Sequence, residues 1–345
     1  MSSRTRTLAI DPGSPDPSAI TEAARVLRSG GLVAFATETV YGLGADATNP
    51  EAVARIFEAK GRPSFNPLIV HVHDLALARA CVTEWPERAE RLAKRFWPGP
   101  LTLLLPRSAI IPDIVTAGRG TVGVRMPASP LACALIEATG RPIAAPSANR
   151  STGISPTEAW HVQKDLDGKI DMILDGGKTN VGIESTVLDL SCDPPRVLRP
   201  GSVTIEQLSL ELGEEVLGPG PAGEKPIAHS SPGQMLVHYA PTTPTYRVER
   251  MGSPPLPSSG NSHWGLIMLG DPLGEESSTK GPAHHIRLRT PAEAEAGLYA
   301  SLHDLDSRRL DFLILLFPPD EPEWLAIRDR AWRASKPWPE AGHQL

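Results

Sequence analysis

Residues 30–66 read GGLVAFATETVYGLGADATNPEAVARIFEAKGRPSFN. Gly30-Gly31 stops a preceding amphipathic segment, Ser18 to Ser29, whose Ile20, Ala23, Ala24 and Leu27 fall on one helical face. Leu32 to Ala36 is apolar at every position, as in a strand covered on both faces by helices. Asn49-Pro50-Glu51 carries the signals of a helix start: an N-cap, a proline at the first helical position and an acid in the first turn. Gly61 closes that helix, and the cations Lys60 and Arg62 flank it. Gly42 to Ala47 matches GxGxxA, but the helix begins only at Asn49-Pro50 and no acid lies about twenty residues on, so a dinucleotide fingerprint is not met. The glycine pair is read as a tight turn that lets the backbone approach a ligand.

Outward from this stretch, strands are expected at Pro67–Val72, Leu101–Leu105, Thr121–Met126, Pro142–Pro146, Met172–Leu174, Thr186–Leu190 and Arg196–Arg199. Helices are expected at Glu84–Trp97, Ser129–Thr139, Thr157–Leu166 and Thr204–Leu212. This irregular alternation predicts a mixed α/β sheet. The text then turns Gly- and Pro-rich from Leu217 to Pro241, a linker by composition. Its second half carries Met235, Leu236, Val237 and Tyr239, which a solvated linker would not need. A second α/β pattern follows, with strands near Thr245, Trp264, Ile286 and Phe312, helices at Pro291–Asp306 and Glu323–Ser335, and a Pro/Ser-rich loop at Met251–Ser262. The expected division is a catalytic domain at 14–216, a linker at 217–241 and a smaller domain at 242–345.

Composition narrows the functional classes. The chain has 345 residues, and its net charge of −6 argues against a general nucleic-acid or membrane-surface binder. Arg88, Arg91, Lys94 and Arg95 nevertheless form one basic helix face. Cys81, Cys133 and Cys192 are isolated, which suits neither a disulfide framework nor a zinc site. MSSRTRTLAIDPGSPDP lacks the apolar core of a signal peptide, and no run reaches a membrane span, so a cytoplasmic protein is expected.

Several residues stand where ligands bind. Arg125 ends an apolar strand before Met126-Pro127, a place for a guanidinium fork at a sheet edge that would grip a carboxylate or phosphate. Ser147-Ala148-Asn149 follows the small residues Ala144-Ala145, and Ser185-Thr186 opens a strand. His71 and His73 alternate on one strand beside Asp74, too few ligands for a metal on their own. Glu38 is placed either to act as a base or to orient its turn. No GxxxxGK[ST] and no GxSxG occurs.

Together these blocks resemble the YrdC-like family, in its longer, two-domain threonylcarbamoyl-AMP synthase form. The resemblance rests on Thr37-Glu38-Thr39-Val40-Tyr41-Gly42-Leu43-Gly44, on Lys60-Gly61-Arg62-Pro63 with Asn66-Pro67-Leu68, and on Trp97-Pro98-Gly99-Pro100-Leu101-Thr102. Val124-Arg125-Met126-Pro127, Pro146-Ser147-Ala148-Asn149 with Ser151 and Gly153, and Ser185-Thr186-Val187 before Leu198-Arg199-Pro200-Gly201 complete it. In the linker, Ser231-Pro232-Gly233 and His238-Tyr239-Ala240-Pro241 also resemble the family, whereas Gln234-Met235-Leu236 departs from its Met-Lys-Tyr.

The resemblance implies a YrdC-like mixed twisted sheet with helices and a smaller Rossmann-like α/β domain. It implies synthesis of L-threonylcarbamoyladenylate from L-threonine, bicarbonate or CO2, and ATP carrying Mg2+, with release of pyrophosphate and no organic cofactor. The product would serve, through a downstream threonylcarbamoyl transferase complex, the adenosine next to the anticodon in tRNAs reading ANN codons. Threonine contacts would fall on Thr37, His71, Arg125, Ala145 and Ser185. Nucleotide contacts would fall on Lys60, Arg62, Ser64, Thr121, Ser147, Asn149, Ser155, Arg199 and Tyr239, with Lys60 and Arg62 as the catalytic cations. The apolar half of the linker would act as a lid. The alternative is an RNA-binding module of the same fold without synthase activity. A hydrogenase maturation factor also shares the domain, but the zinc-finger and acylphosphatase-like segments it needs do not appear.

Overall fold

The computed structural model describes residues 4–220, 239–249, 263–270 and 283–339. Most of the expected lid, including Gln234-Met235-Leu236, and the Met251–Ser262 loop lie outside these residues. The chain divides into two compact units, one of residues 1–151 and 155–234, the other of residues 152–154 and 235–345.

The first unit contains β1 (Arg6–Ala9), α1 (Pro17–Arg28), β2 (Val33–Ala36), β3 (Tyr41–Asp46), α2 (Pro50–Lys60), β4 (Ile69–His71), α3 (Leu75–Ala80), α4 (Glu87–Phe96) and β5 (Leu101–Pro106). It continues through α5 (Asp113–Thr116), β6 (Thr121–Arg125), α6 (Pro130–Thr139), β7 (Ile143–Ala144), α7 (Ala159–Leu166), β8 (Met172–Asp175), β9 (Thr186–Asp189), β10 (Arg196–Arg199) and α8 (Ile205–Leu212). The strands form one ten-stranded mixed sheet in the order β1-β8-β2-β3-β7-β4-β6-β5-β9-β10. The sequence-level expectation of a mixed α/β sheet holds, with β1, β3, α3 and α5 as additions.

The local signals act as read. The Asn49 side chain caps α2 by accepting from the amides of Glu51 and Ala52, and Gly61 ends the helix in the left-handed region. Two expectations do not hold. Gly42 and Gly44 do not form a tight turn: they lie in β3, antiparallel to β2, with Phe35 opposite Gly42. The turn is the Thr37–Val40 connection before it. The glycines clear space for the Phe35 ring, since a Cβ on Gly44 would stand 2.8 Å from Phe35 Cε1 and 2.9 Å from Ile143 Cγ2. Arg125 is likewise not at a sheet edge. It ends β6, an interior strand between β4 and β5, because β5, β9 and β10 extend the sheet beyond it.

Helices cover the two faces unequally. One face is packed along its length by α2, α4, α7 and α8, with Val53, Ile56, Leu92, Val162 and Leu208 meeting Leu43, Val70, Leu103 and Val124. On the other face α1 and α6 cover β2, β7 and β8 through Ala24, Leu27, Leu131 and Leu135, and this second core includes no residue of β4, β5, β6 or β9.

The second unit holds β11 (Thr245–Val248), β12 (Trp264–Leu269), β13 (His284–Leu288), α9 (Pro291–Asp306), β14 (Phe312–Leu316), α10 (Leu325–Ala334) and β15 (Lys336–Pro337). The five strands among its described residues are all parallel, in the order β13-β12-β14-β11-β15. Crossover connections and apolar central strands give this Rossmann-like sheet its pattern. Trp264 stacks on Phe312 with ring centroids 6.0 Å apart at its centre.

Candidate active site

The parallel strands β4 and β6 end side by side, with His71 opposite Arg125 in register. Carboxyl ends of parallel strands are where open α/β sheets bind ligands, because the chain turns away there. β5 runs antiparallel to β6, and β9 runs parallel to β5, so Ser185, just before β9, reaches the same end. Three segments far apart in sequence thereby bring His71, Arg125 and Ser185 together.

Arg125 is almost fully buried, and all its nitrogens are engaged. Nε donates to the Gly99 carbonyl at 3.1 Å, one terminal nitrogen to Thr39 Oγ1 at 3.0 Å, and the other to Glu38 Oε1 at 2.6 Å. A further N–H on each terminal nitrogen can still serve a ligand carboxylate. The Thr37–Val40 turn is built locally: Thr37 Oγ1 donates to the Val40 carbonyl at 2.7 Å and accepts from the Thr39 and Val40 amides. Amides of Val181 and Gly182 then fix the carbonyls of Glu38 and Thr39. Sequence reasoning left Glu38 between two roles and omitted Thr39; both prove to be direct partners of Arg125.

His71 is buried, and burial followed by the nearby charges of Arg125 and Arg199 pushes its pKa down to about 3. It is a neutral imidazole at physiological pH, with Nδ1 buried and without a protein partner among the described residues. Ser185 Oγ shares a 2.8 Å hydrogen bond with Thr102 Oγ1 and accepts from Arg199 at 3.1 Å. Thr102 was also missed, although its position within the apolar run of β5 singles it out. Ala145 donates its amide to the Ile69 carbonyl at 3.0 Å, on the neighbouring strand and two residues below His71.

A pocket along β4, β5, β6 and β9 is lined by Ile69, Thr102, Leu104, Thr121, Gly123 and Val187. Gly123 opens it: a Cβ there would meet Thr102 Cγ2 at 3.1 Å. Thr121 and Arg125 share a face by strand alternation and stand about 13 Å apart.

A second group forms around Lys60. Its ammonium is buried and donates to the carbonyls of Ser147 and Asn149, each at 2.6 Å. Ser147 Oγ donates to Asn149 Oδ1 at 2.6 Å. Burial, then the adjacent Arg62 charge, lowers the Lys60 pKa well below the ordinary lysine value. Arg62 donates to the carbonyls of Asn66 and Pro67 and so holds its own turn. Ser155 donates to the buried carboxylate of Glu184. Ser64 is exposed on the Pro63–Asn66 turn. Tyr239 belongs to the second unit, where it packs on Tyr299 at 5.4 Å and lies under the Arg330 guanidinium at 5.7 Å. Within the first unit His71, Ser185 and Arg199 gather near Arg125, and Ser147 and Asn149 gather on Lys60.

The basic face of α4 is largely spoken for. Arg88 pairs with Asp193 and Glu214, and Arg91 donates to the carbonyls of Glu211 and Leu212 at the end of α8. No helix among the described residues is long and apolar enough to cross a membrane.

Comparison with known proteins agrees with this architecture. A model of the Sua5, YciO and YrdC family, described as "Telomere recombination", matches residues 25–201, and one described as "Threonylcarbamoyl-AMP synthase, C-terminal domain" matches residues 203–336. The chain is 46% identical over 332 residues to the threonylcarbamoyl-AMP synthase of Bacillus subtilis (strain 168), covering 93% of each. It is 38% identical over 367 residues to that of Schizosaccharomyces pombe, covering 94% of this chain and 90% of the relative. Among solved structures, Pyrococcus abyssi Sua5 complexed with L-threonine superposes with a TM-score of 0.86 at 39% identity, covering 96% of this chain and 98% of that one. The chain is an enzyme, and it belongs to the threonylcarbamoyl-AMP synthase family.

Proposed function

We propose that the enzyme makes L-threonylcarbamoyladenylate from L-threonine, CO2 or bicarbonate, and ATP, in the cytoplasm. The observation that carries this reading is the buried Arg125 fork, seated beside neutral His71 at the carboxyl ends of β4 and β6. The fork suits the threonine carboxylate. A relative in complex with L-threonine supports the choice of amino acid.

In the first step the threonine amine nitrogen attacks the carbon of CO2 and loses a proton, giving a carbamate. A carbamate oxygen then attacks the α-phosphorus of ATP, and the bond from that phosphorus to the β-phosphate bridging oxygen breaks to release pyrophosphate. No covalent intermediate with the protein is needed. Neutral His71 contributes a polar ring without adding charge, and Ser185 and Thr102 offer hydroxyls at the same strand ends. Lys60 orders the Ser147–Asn149 segment, and with Arg62 it supplies positive potential toward the phosphates.

Among the described residues no three His, Cys, Asp or Glu side chains gather as a metal-binding group. In this reading Mg2+ arrives on the triphosphate as part of the substrate. The product would pass to a threonylcarbamoyl transferase complex acting on tRNA.

The test is direct. The protein is mixed with MgATP, L-threonine and bicarbonate, and pyrophosphate is followed. Threonine- and bicarbonate-dependent release is expected; release independent of threonine, or none, overturns the proposal.

A further inference from the structure

Glu38 holds a buried carboxylate oxygen that the proposed reaction does not use. Its side chain is nine-tenths buried, and Oε1 is fixed by Arg125 at 2.6 Å. Oε2 is buried with no protein hydrogen-bond partner. Its backbone is held as well, since the Glu38 carbonyl accepts from the Val181 amide at 2.8 Å. A carboxylate fixed at both ends cannot turn its second oxygen elsewhere, and an ionised oxygen withdrawn from water calls for a donor.

We infer that Glu38 receives the α-amino group of the substrate, so that the Glu38–Arg125 pair reads the zwitterion of an amino acid. This inference rests on the proposed function and names how that site chooses its substrate. An α-amino acid carries its cationic and anionic groups on one carbon. Groups that recognise both must therefore be neighbours of opposite charge, as Glu38 Oε1 and the Arg125 guanidinium are. The β-hydroxyl stands one carbon farther away and carries no charge, so it is the poorer match for a buried carboxylate. Once the carbon–nitrogen bond of the carbamate has formed, its remaining N–H can still donate to the same oxygen, and the contact does not obstruct carboxylation. Glu38 thus determines specificity for amino acids over hydroxy acids.

The experiment measures binding of L-threonine and of (R)-3-hydroxybutyrate, which lacks only the amino group, to the wild-type enzyme and to Glu38→Gln. The glutamine keeps the shape and the acceptor for Arg125 but removes the charge. The wild type is expected to prefer threonine strongly. Glu38→Gln is expected to weaken threonine about tenfold or more while leaving (R)-3-hydroxybutyrate within about threefold. Unchanged threonine affinity in Glu38→Gln, or equal weakening of both ligands, overturns the inference. Equal affinity of the wild type for the two ligands overturns it independently of any variant. In either case threonine-dependent pyrophosphate release by the wild type would leave the proposed function standing, whereas its absence would remove both.

Discussion

The Lys60 ammonium and the Asn149 carbonyl oxygen stand 2.6 Å apart, across 89 residues of sequence. The same nitrogen reaches the Ser147 carbonyl at the same distance. Lys60, the last residue of α2, is thus the peg that fixes the segment after β7. Carbonyl dipoles replace the water that a buried ammonium has lost, which is why the charge is tolerated there.

Lys60→Met keeps the length of the side chain and removes the ammonium. Two carbonyls are left without their donor, at a cost of about 1–3 kcal/mol. Adenylate formation is expected to fall by about a hundredfold or more, because the Ser147–Asn149 segment and the positive potential are lost together. Pyrophosphate release and denaturant unfolding of the same variant check both effects.

Arg125→Ala strands the buried Glu38 carboxylate. The expected destabilisation is about 3–5 kcal/mol, the range for breaking one side of a buried pair. Removing both partners in Glu38→Ala/Arg125→Ala is expected to cost less than Arg125→Ala alone, since no unpaired charge remains. Urea unfolding of the two single variants and the double variant gives the coupling directly.

The pH dependence of stability has a definite sign. His71 has a pKa of about 3 in the folded chain, against its ordinary value of 6.5. Between those values the unfolded chain takes up a proton that the folded chain does not. This contribution is fully present above pH 6.5 and is lost progressively as the pH falls toward 3, by an amount on the order of a few kcal/mol. His71→Gln is expected to flatten that part of the curve, which thermal melts at pH 4.5 and 7.5 will show.

Gly44→Ala tests why β3 carries glycine. The new Cβ would press on Phe35 Cε1 and Ile143 Cγ2, both under 3 Å away. Overpacking of this kind costs about 1–3 kcal/mol. Phe35→Leu in the same chain is expected to recover part of the loss, and Gly42→Ala, whose nearest neighbour would be Ala145 Cβ at 3.3 Å, is expected to be milder. Melting temperatures of the three variants decide it.

Much of the fold was legible locally. Asn49, Gly61, Ser129 and Gly140 end helices by hydrogen bonds and backbone angles that depend on a few neighbouring residues, so α2 and α6 could be placed from the text. β3 could not, because alternating glycines resemble a turn until one knows that Phe35 from the adjacent strand occupies the space they leave. The Arg88 and Arg91 face was visible as a basic stripe, but its acidic and carbonyl partners lie over a hundred residues away.

By itself the sequence determined the element types, the two α/β patterns and the family, because capping, periodicity and ordered blocks are properties of contiguous residues. It also marked nearly all the polar residues now found around Arg125 and Lys60. Tertiary structure alone decided what those residues do to one another. Strand order put His71, Arg125 and Ser185 at one end of the sheet, burial made His71 neutral, and the fold turned Lys60 onto the Asn149 carbonyl. It also tied Glu38 to Arg125 and left one carboxylate oxygen unmatched. Charge state and hydrogen-bond partnership depend on what surrounds an atom in space, and that is fixed only when the sheet has closed.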